Sequence, residues 1–202
     1  MATFYLLRHG EIEGANQKRL IGQIDLPLNP EGRYQAEQSG RHLSTVAFSE
    51  IWCSDLNRTV ETAQIVSGER NQPIQQTPEL REIALGEWDG LEIATIRDNF
   101  SDLWIARGDD IGNFCPPGGE SFFDLQQRVV TFIQSLVSRC SGNVLITTHA
   151  GVIRTFLCHI LQAPLSHLFR IHLNYCGLTL VEDVRGELRI KAMNLVLPNH
   201  FG

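Results

Sequence analysis

Apolar and polar positions alternate along this chain in blocks of two kinds. Thr3 to Leu7 form a short apolar run rich in β-formers, which predicts a buried strand. The run stops at Arg8-His9-Gly10-Glu11 and gives way to a polar loop. Asn29 followed by Pro30 reads as an N-cap with proline at the first helical position, opening a helix through about Leu43. Ile51 to Cys53 predict a second strand. Ser54 or Asp55 is then expected to cap a helix carrying Arg58 in its first turn. The segment from Leu80 to Ile96 is less regular: a strand end, a glycine-rich turn and a short helix. After the loop Cys115 to Gly119, an amphipathic pattern predicts a long helix from Ser121 to Arg139. The clearest strand is Asn143 to His149, with a helix starting at Ala150-Gly151. Two further strands are expected near Leu178 to Val181 and Leu188 to Ile190. Strands alternating with helices, without repeats or linkers, argue for one α/β layered domain with a mainly parallel sheet.

Length and composition narrow this picture. The 202 residues suit one domain and bury enough surface to need no disulfide or metal. The formal charge of −6 argues against nucleic acid or an anionic membrane as partner. Positive charge is carried by fifteen arginines and only Lys18 and Lys191, so it is mostly guanidinium, well shaped for oxyanions. The five cysteines are odd in number and lack C-x-x-C spacing, which speaks for free thiols in a reducing compartment. The N-terminal apolar run is too short for a signal or a membrane span, so a cytoplasmic location is expected.

Three predicted strands end in chemistry. The first delivers Arg8 and His9, the second Ser54, Asp55 and then Arg58, and the third His149 at a helix N-terminus. Parallel strands bring such ends to one edge of the sheet, where ligands bind, and helix N-termini there favour anions. Two arginines and two histidines suit a phosphoryl dianion. Guanidiniums fork around its oxygens, and a neutral imidazole, its pKa lowered by neighbouring cations, can attack phosphorus. A carboxylic acid must then protonate the leaving alkoxide. Glu11, Asp55, Glu82, Glu87 and Asp89 are the candidates. Taken singly, each residue reads as an ordinary loop, cap or ion-pair residue, and Cys53 reads as core. Their combination carries the argument. No cysteine is followed six residues later by arginine, and Walker A, D-x-D-x-[ST], two-metal and G-x-S-x-G patterns are absent. A histidine nucleophile working without metal or cofactor is the simplest reading.

LLRHGE at residues 6–11 resembles the signature of the histidine phosphatase superfamily, which includes the phosphoglycerate mutase-like enzymes. RLIGQIDLPLNPEGRYQA, CSDLNRTVETA, LREIALGEWDG, PPGGES and TTHAGVIR are similar to its later motifs, in the same order along nearly the whole chain. The resemblance implies a three-layer α/β/α sandwich with a mainly parallel central sheet and a small helical lid at about 86–119. It implies His9 as the phosphorylated nucleophile, Arg8 and Arg58 as the phosphate clamp, His149 as the second histidine and Glu82 as the proton donor. Gly22 and Gln23 would line the site, and the Ala150 N–H would face the phosphate. One departure concerns a phosphate-contacting asparagine of many members: Ala15 stands at that position, with Asn16 beside it as the substitute. The Glu11-Ile12 pair also replaces a common Glu-Thr.

The function implied is hydrolysis of a small phosphorylated metabolite, with α-ribazole 5′-phosphate or a sugar phosphate as substrates. A cofactor-dependent phosphoglycerate mutase is the alternative with the same chemistry, but this chain is short for it. A phospho-ligand-binding domain without catalysis is the third reading, against which all five central residues are present. The aromatics Trp88, Phe100, Trp104 and Phe114 are expected in the lid, as its core or as substrate contacts. His159, His167, His172 and His200 are read as structural or exposed.

Overall fold

The computed structural model describes residues 1–196. Its centre is a six-stranded mixed sheet in the order β3-β2-β4-β1-β5-β6. The strands are β1 (Ala2–Arg8), β2 (Phe48–Cys53), β3 (Ile74–Gln76), β4 (Gly142–Thr148), β5 (Leu178–Val184) and β6 (Glu187–Leu195). The first four run parallel, and β5 and β6 are antiparallel to their neighbours. The helices are α1 (Pro30–His42), α2 (Asn57–Ser67), α3 (Ile93–Asn99), α4 (Ser101–Asp109), α5 (Phe122–Arg139) and α6 (Ala150–Leu161).

The alternation of side chains along β1 divides the interior. Phe4 and Leu6 point into a core shared with Leu125, Val129 and Ile133 of α5 and Val152, Ile153 and Phe156 of α6. Leu7 faces the other way, into a core with Ala36 of α1 and Val66 of α2. This is the period of two expected of a strand buried on both faces, and it makes the three-layer α/β/α arrangement.

Local chemistry sets the helix starts. The Asn29 side chain accepts from the Gly32 N–H, with Pro30 opening α1. Ser121 and Asp124 form a reciprocal capping box on α5. The expected cap of α2 is corrected: its N-cap is Leu56, with no side-chain cap. Ser54 lies two residues before that cap, its hydroxyl shared between the Leu56 N–H and His149, and Asp55 is drawn to Arg81. Between Gly86 and Gly119 lie α3 and α4, and there Trp88 is fully buried and stacked on Phe114 at 5.3 Å, with Phe100 and Trp104 tilted against it. Those aromatics contact one another and join the main core through Trp88. Among the described residues no helix is long and apolar enough to cross a membrane.

Candidate active site

The neighbouring parallel strands β1 and β4 pair Arg8 with Thr148, so the residues that follow emerge side by side. His9 and His149 stand with ring centroids 5.2 Å apart, both almost wholly buried. His9 Nδ1 lies 2.7 Å from the Gly10 carbonyl oxygen. A carbonyl only accepts, so Nδ1 carries the proton and Nε2 is left as the nucleophilic nitrogen. Burial, then the charges of Arg58 and Arg8, hold His9 well below the ordinary value of 6.5. The imidazole is therefore neutral at neutral pH.

Arg58, on the first turn of α2, is 1% exposed. Its Nε donates to His149 Nδ1 at 3.2 Å, and its two terminal amino groups donate to the Ile24 and Gly22 carbonyls at 2.8 and 2.6 Å. With Nδ1 accepting, His149 carries its proton on Nε2 and donates to Ser54 Oγ at 2.9 Å. Ser54 Oγ also accepts from the Leu56 N–H and meets Thr59 Oγ1 at 3.0 Å. The donor-only Arg58 Nε–H thus fixes the His149 tautomer, and the buried hydroxyls accommodate it. Burial and the Arg58 charge hold His149, like His9, well below 6.5.

Arg8 lies over the Tyr175 ring, 3.8 Å from its centroid, and donates to the Leu173 carbonyl at 2.7 Å. Its buried Nε has no partner among the described residues. Tyr175 also packs against His9, with centroids 5.7 Å apart. Burial pulls Arg8 and Arg58 below the ordinary arginine value, and the Glu82 carboxylate pushes both back up. Glu82 itself accepts from the Ile83 and Gly151 N–H groups, each at 3.0 Å. Gly151 leaves room for this carboxylate in its present position, since a Cβ there would land on Glu82 Oε1. Arg128 and Glu120 brace the same segment: Arg128 donates to the Arg81 and Glu82 carbonyls and pairs with Glu120, which accepts from the Ala84 N–H.

The other candidate carboxylates have different work. Asp89 accepts three consecutive backbone N–H groups, from Gly22, Gln23 and Ile24, at 2.7–2.8 Å. It thereby shapes the very loop whose carbonyls hold Arg58. Asp55 pairs with Arg81, Glu11 accepts from Asn29, and Glu87 is exposed. Gly22 approaches the Ile83 carbonyl too closely for any side chain, and Gln23 donates to the Glu82 carbonyl at 3.0 Å. Both therefore sit beside the Glu82 segment. The Ala150 N–H opens α6 next to His149. Asn16 is exposed and makes no hydrogen bond among the described residues, so it is not tied to the pocket there. Cys53 is buried core, its thiol pushed up to about 12 by burial. His159 and His172 are exposed, His167 is half-buried, and His200 lies outside the described residues.

Three residues of this site have no sequence signal of their own. Tyr175 precedes a strand whose antiparallel pairing to β1 periodicity does not reveal. Ser54 reads as a helix cap, and Asp89 as one acid among several.

One buried and one half-buried guanidinium beside two neutral imidazoles, at the carboxyl edge of an α/β sheet, have the chemistry of phosphoryl transfer. The chain belongs to the histidine phosphatase superfamily (branch 1), whose model matches residues 4–196. It is 30% identical over 161 residues to the adenosylcobalamin/alpha-ribazole phosphatase of Escherichia coli (strain K12), covering 79% of each chain. It is 32% identical over 160 residues to phosphoglycerate mutase-like protein 4 of Arabidopsis thaliana, covering 76% of this chain and 69% of the relative. Among solved structures, YhfR of Bacillus stearothermophilus superposes with a TM-score of 0.89 at 35% identity, over 95% of this chain and 96% of that one.

Proposed function

We propose that the protein is a phosphomonoesterase that hydrolyses a small phosphorylated metabolite through a phosphohistidine at His9, without metal or cofactor. The observation that carries this reading is the His9 tautomer: Nδ1–H is bound to the Gly10 carbonyl, and a neutral Nε2 stands beside Arg8, Arg58 and His149. In the first step Nε2 attacks phosphorus in line, and the bond to the leaving oxygen breaks. The arginines and the Ala150 N–H hold the charge on the non-bridging oxygens, and His149, whose ring nitrogens are taken by Arg58 and Ser54, orients the Arg58 guanidinium. Glu82, protonated, gives its proton to the departing alkoxide. In the second step the Glu82 carboxylate takes a proton from water, whose oxygen attacks the phosphohistidine and releases phosphate and free His9.

Residues 86–119 act as a lid over the substrate's alcohol half, anchored to the main core by Trp88. The partner is a small molecule rather than nucleic acid or membrane, in line with the formal charge of −6. The free thiols, Cys115 exposed among them, suit a cytoplasmic setting. The alpha-ribazole phosphatase likeness puts α-ribazole 5′-phosphate in the substrate panel, beside sugar phosphates and 3-phosphoglycerate. The mutase-like relative favours a second reading with the same phosphohistidine chemistry, separated by 2,3-bisphosphoglycerate-dependent isomerisation of phosphoglycerate.

The test is phosphate release from that panel in excess chelator, with His9→Ala as the blank. Turnover by the wild type, with none by the variant and an acid-labile phosphoryl group trapped on the wild-type protein, is expected. Turnover that survives His9→Ala, or that chelator abolishes, overturns the reading.

A further inference from the structure

One turn, residues 173–177, grips both Arg8 and His9. The antiparallel pairing of β5 with β1 sets Leu178 opposite Leu7, so the chain just before β5 runs back along the end of β1. There the Gly177 carbonyl accepts from the Arg8 N–H, and the Cys176 N–H donates to the His9 carbonyl, each at 3.2 Å. The Leu173 carbonyl takes one terminal amino group of Arg8 at 2.7 Å. The half-buried Tyr175 ring lies between these contacts, with its centroid 3.8 Å from the Arg8 guanidinium carbon and 5.7 Å from the centroid of His9.

The backbone sets the direction of that ring. Cys176 has φ +48°, in the left-handed region that side chains disfavour. Asn194 Oδ1 accepts from the Asn174 N–H at 2.7 Å, and the Gly177 N–H donates to the Asn174 carbonyl at 3.0 Å. A Cβ on residue 177 would fall on that same Asn194 oxygen, so the turn closes only around glycine.

An aromatic ring is the partner that a phosphate clamp needs. Burial pulls Arg8 below the ordinary arginine value, so the guanidinium has lost hydration. A carboxylate beside it would restore that loss but would also occupy its N–H donors and cancel its charge. A ring face attracts the cation through its quadrupole and takes no donor. The Arg8 Nε–H accordingly remains buried and without a partner among the described residues.

Resting on the phosphatase reading above, we infer that Tyr175 is a positioning residue for phosphoryl transfer: its ring holds the Arg8 guanidinium flat, with donors free for the phosphoryl oxygens, and walls off one flank of the His9 imidazole. It acts through Arg8 and His9, and the ring face rather than the hydroxyl is what the reaction uses.

Three replacements test this. Tyr175→Phe keeps the ring and should stay within about threefold of wild type in kcat/KM. Pentafluorophenylalanine at 175 keeps the shape of phenylalanine but reverses the charge on the ring face, and should cost roughly tenfold or more, the scale of a desolvated cation–ring contact. Tyr175→Leu should lose at least as much. Calorimetric affinity for inorganic phosphate should fall in the same order, and in an Arg8→Gln background phenylalanine and its pentafluoro form should bind phosphate alike, because the cation is gone. Should Tyr175→Leu fail to fold, the comparison of the two phenylalanines stands without it. Equal kcat/KM for those two, or a folded Tyr175→Leu enzyme within threefold of wild type, overturns the assignment and leaves the phosphatase reading intact. Phosphate affinity that follows the ring in a protein that hydrolyses no ester upholds the assignment and overturns the hydrolytic reading instead.

Discussion

Asp89→Asn isolates what the loop at residues 22–24 contributes. The carboxylate accepts three N–H groups at 2.7–2.8 Å, one on Oδ1 and two on Oδ2. Asparagine keeps one acceptor oxygen and turns an NH₂ toward the Gln23 and Ile24 donors. Two charge-assisted hydrogen bonds are lost, at about 1.5–3 kcal/mol each if the loop stays in place. The loop is partly exposed, with Ile24 at 40%, so water takes over some of the donors. Roughly half the ceiling, about 2–3 kcal/mol, is left to displace the Gly22 and Ile24 carbonyls that clamp Arg58. Carried into the transition state, that is about 30- to 160-fold in kcat/KM. The assay compares p-nitrophenyl phosphate, whose phenol leaves easily, with glycerol 3-phosphate, whose alkoxide does not. A residue that only positions Arg58 slows both alike, whereas Glu82→Gln slows the alkyl ester more, because only that leaving group needs a proton. An Asp89→Asn enzyme within threefold of wild type refutes the clamp argument. Selective slowing of the alkyl ester would instead make Asp89 the acid.

Two further predictions concern burial at the site. His9 and His149 are held neutral, well below 6.5, by burial and by Arg58, so the unfolded chain binds protons that the folded chain refuses as pH falls below 6.5. Folding stability in phosphate-free buffer should therefore fall with acidification, by at most ~1.4 kcal/mol per histidine per pH unit. Urea melts at pH 7.5 and 5.5 check the sign, and a slope no shallower in His149→Gln than in wild type rejects the assignment. Gly151→Ala should place a methyl where the Glu82 carboxylate lies and mimic loss of the acid, with alkyl esters slowed far more than p-nitrophenyl phosphate. Unaltered glycerol 3-phosphate kinetics in that variant would count against Glu82 acting from this position.

Much of this architecture is readable from residue order. β1, β2 and β4 are apolar runs ending in polar residues, and α1 and α5 carry their caps in plain sight. What escaped has physical reasons. β3 is three residues long, too short for a period to register. The α4 helix buries none of its residues fully, so its pattern is weak. The antiparallel return of β5 and β6 depends on which edge of the sheet is free, which local pattern does not encode. In the site, strand ends announce Arg8, His9 and His149. The three amides gathered by Asp89, and the Tyr175 ring beneath Arg8, join residues far apart in the chain, and only the folded backbone brings them together.

The adjacency of β1 and β4 has one more consequence. Those strands touch along their whole length, yet the chain between them holds two parallel strands and five helices. A break in the turn after Asp109 leaves His9 on one fragment and His149 on the other, each without its counterpart. Turnover then requires the two pieces to find each other and zip β1 against β4, so the enzyme is divided by its own topology into complementing halves whose reunion reports itself as released phosphate.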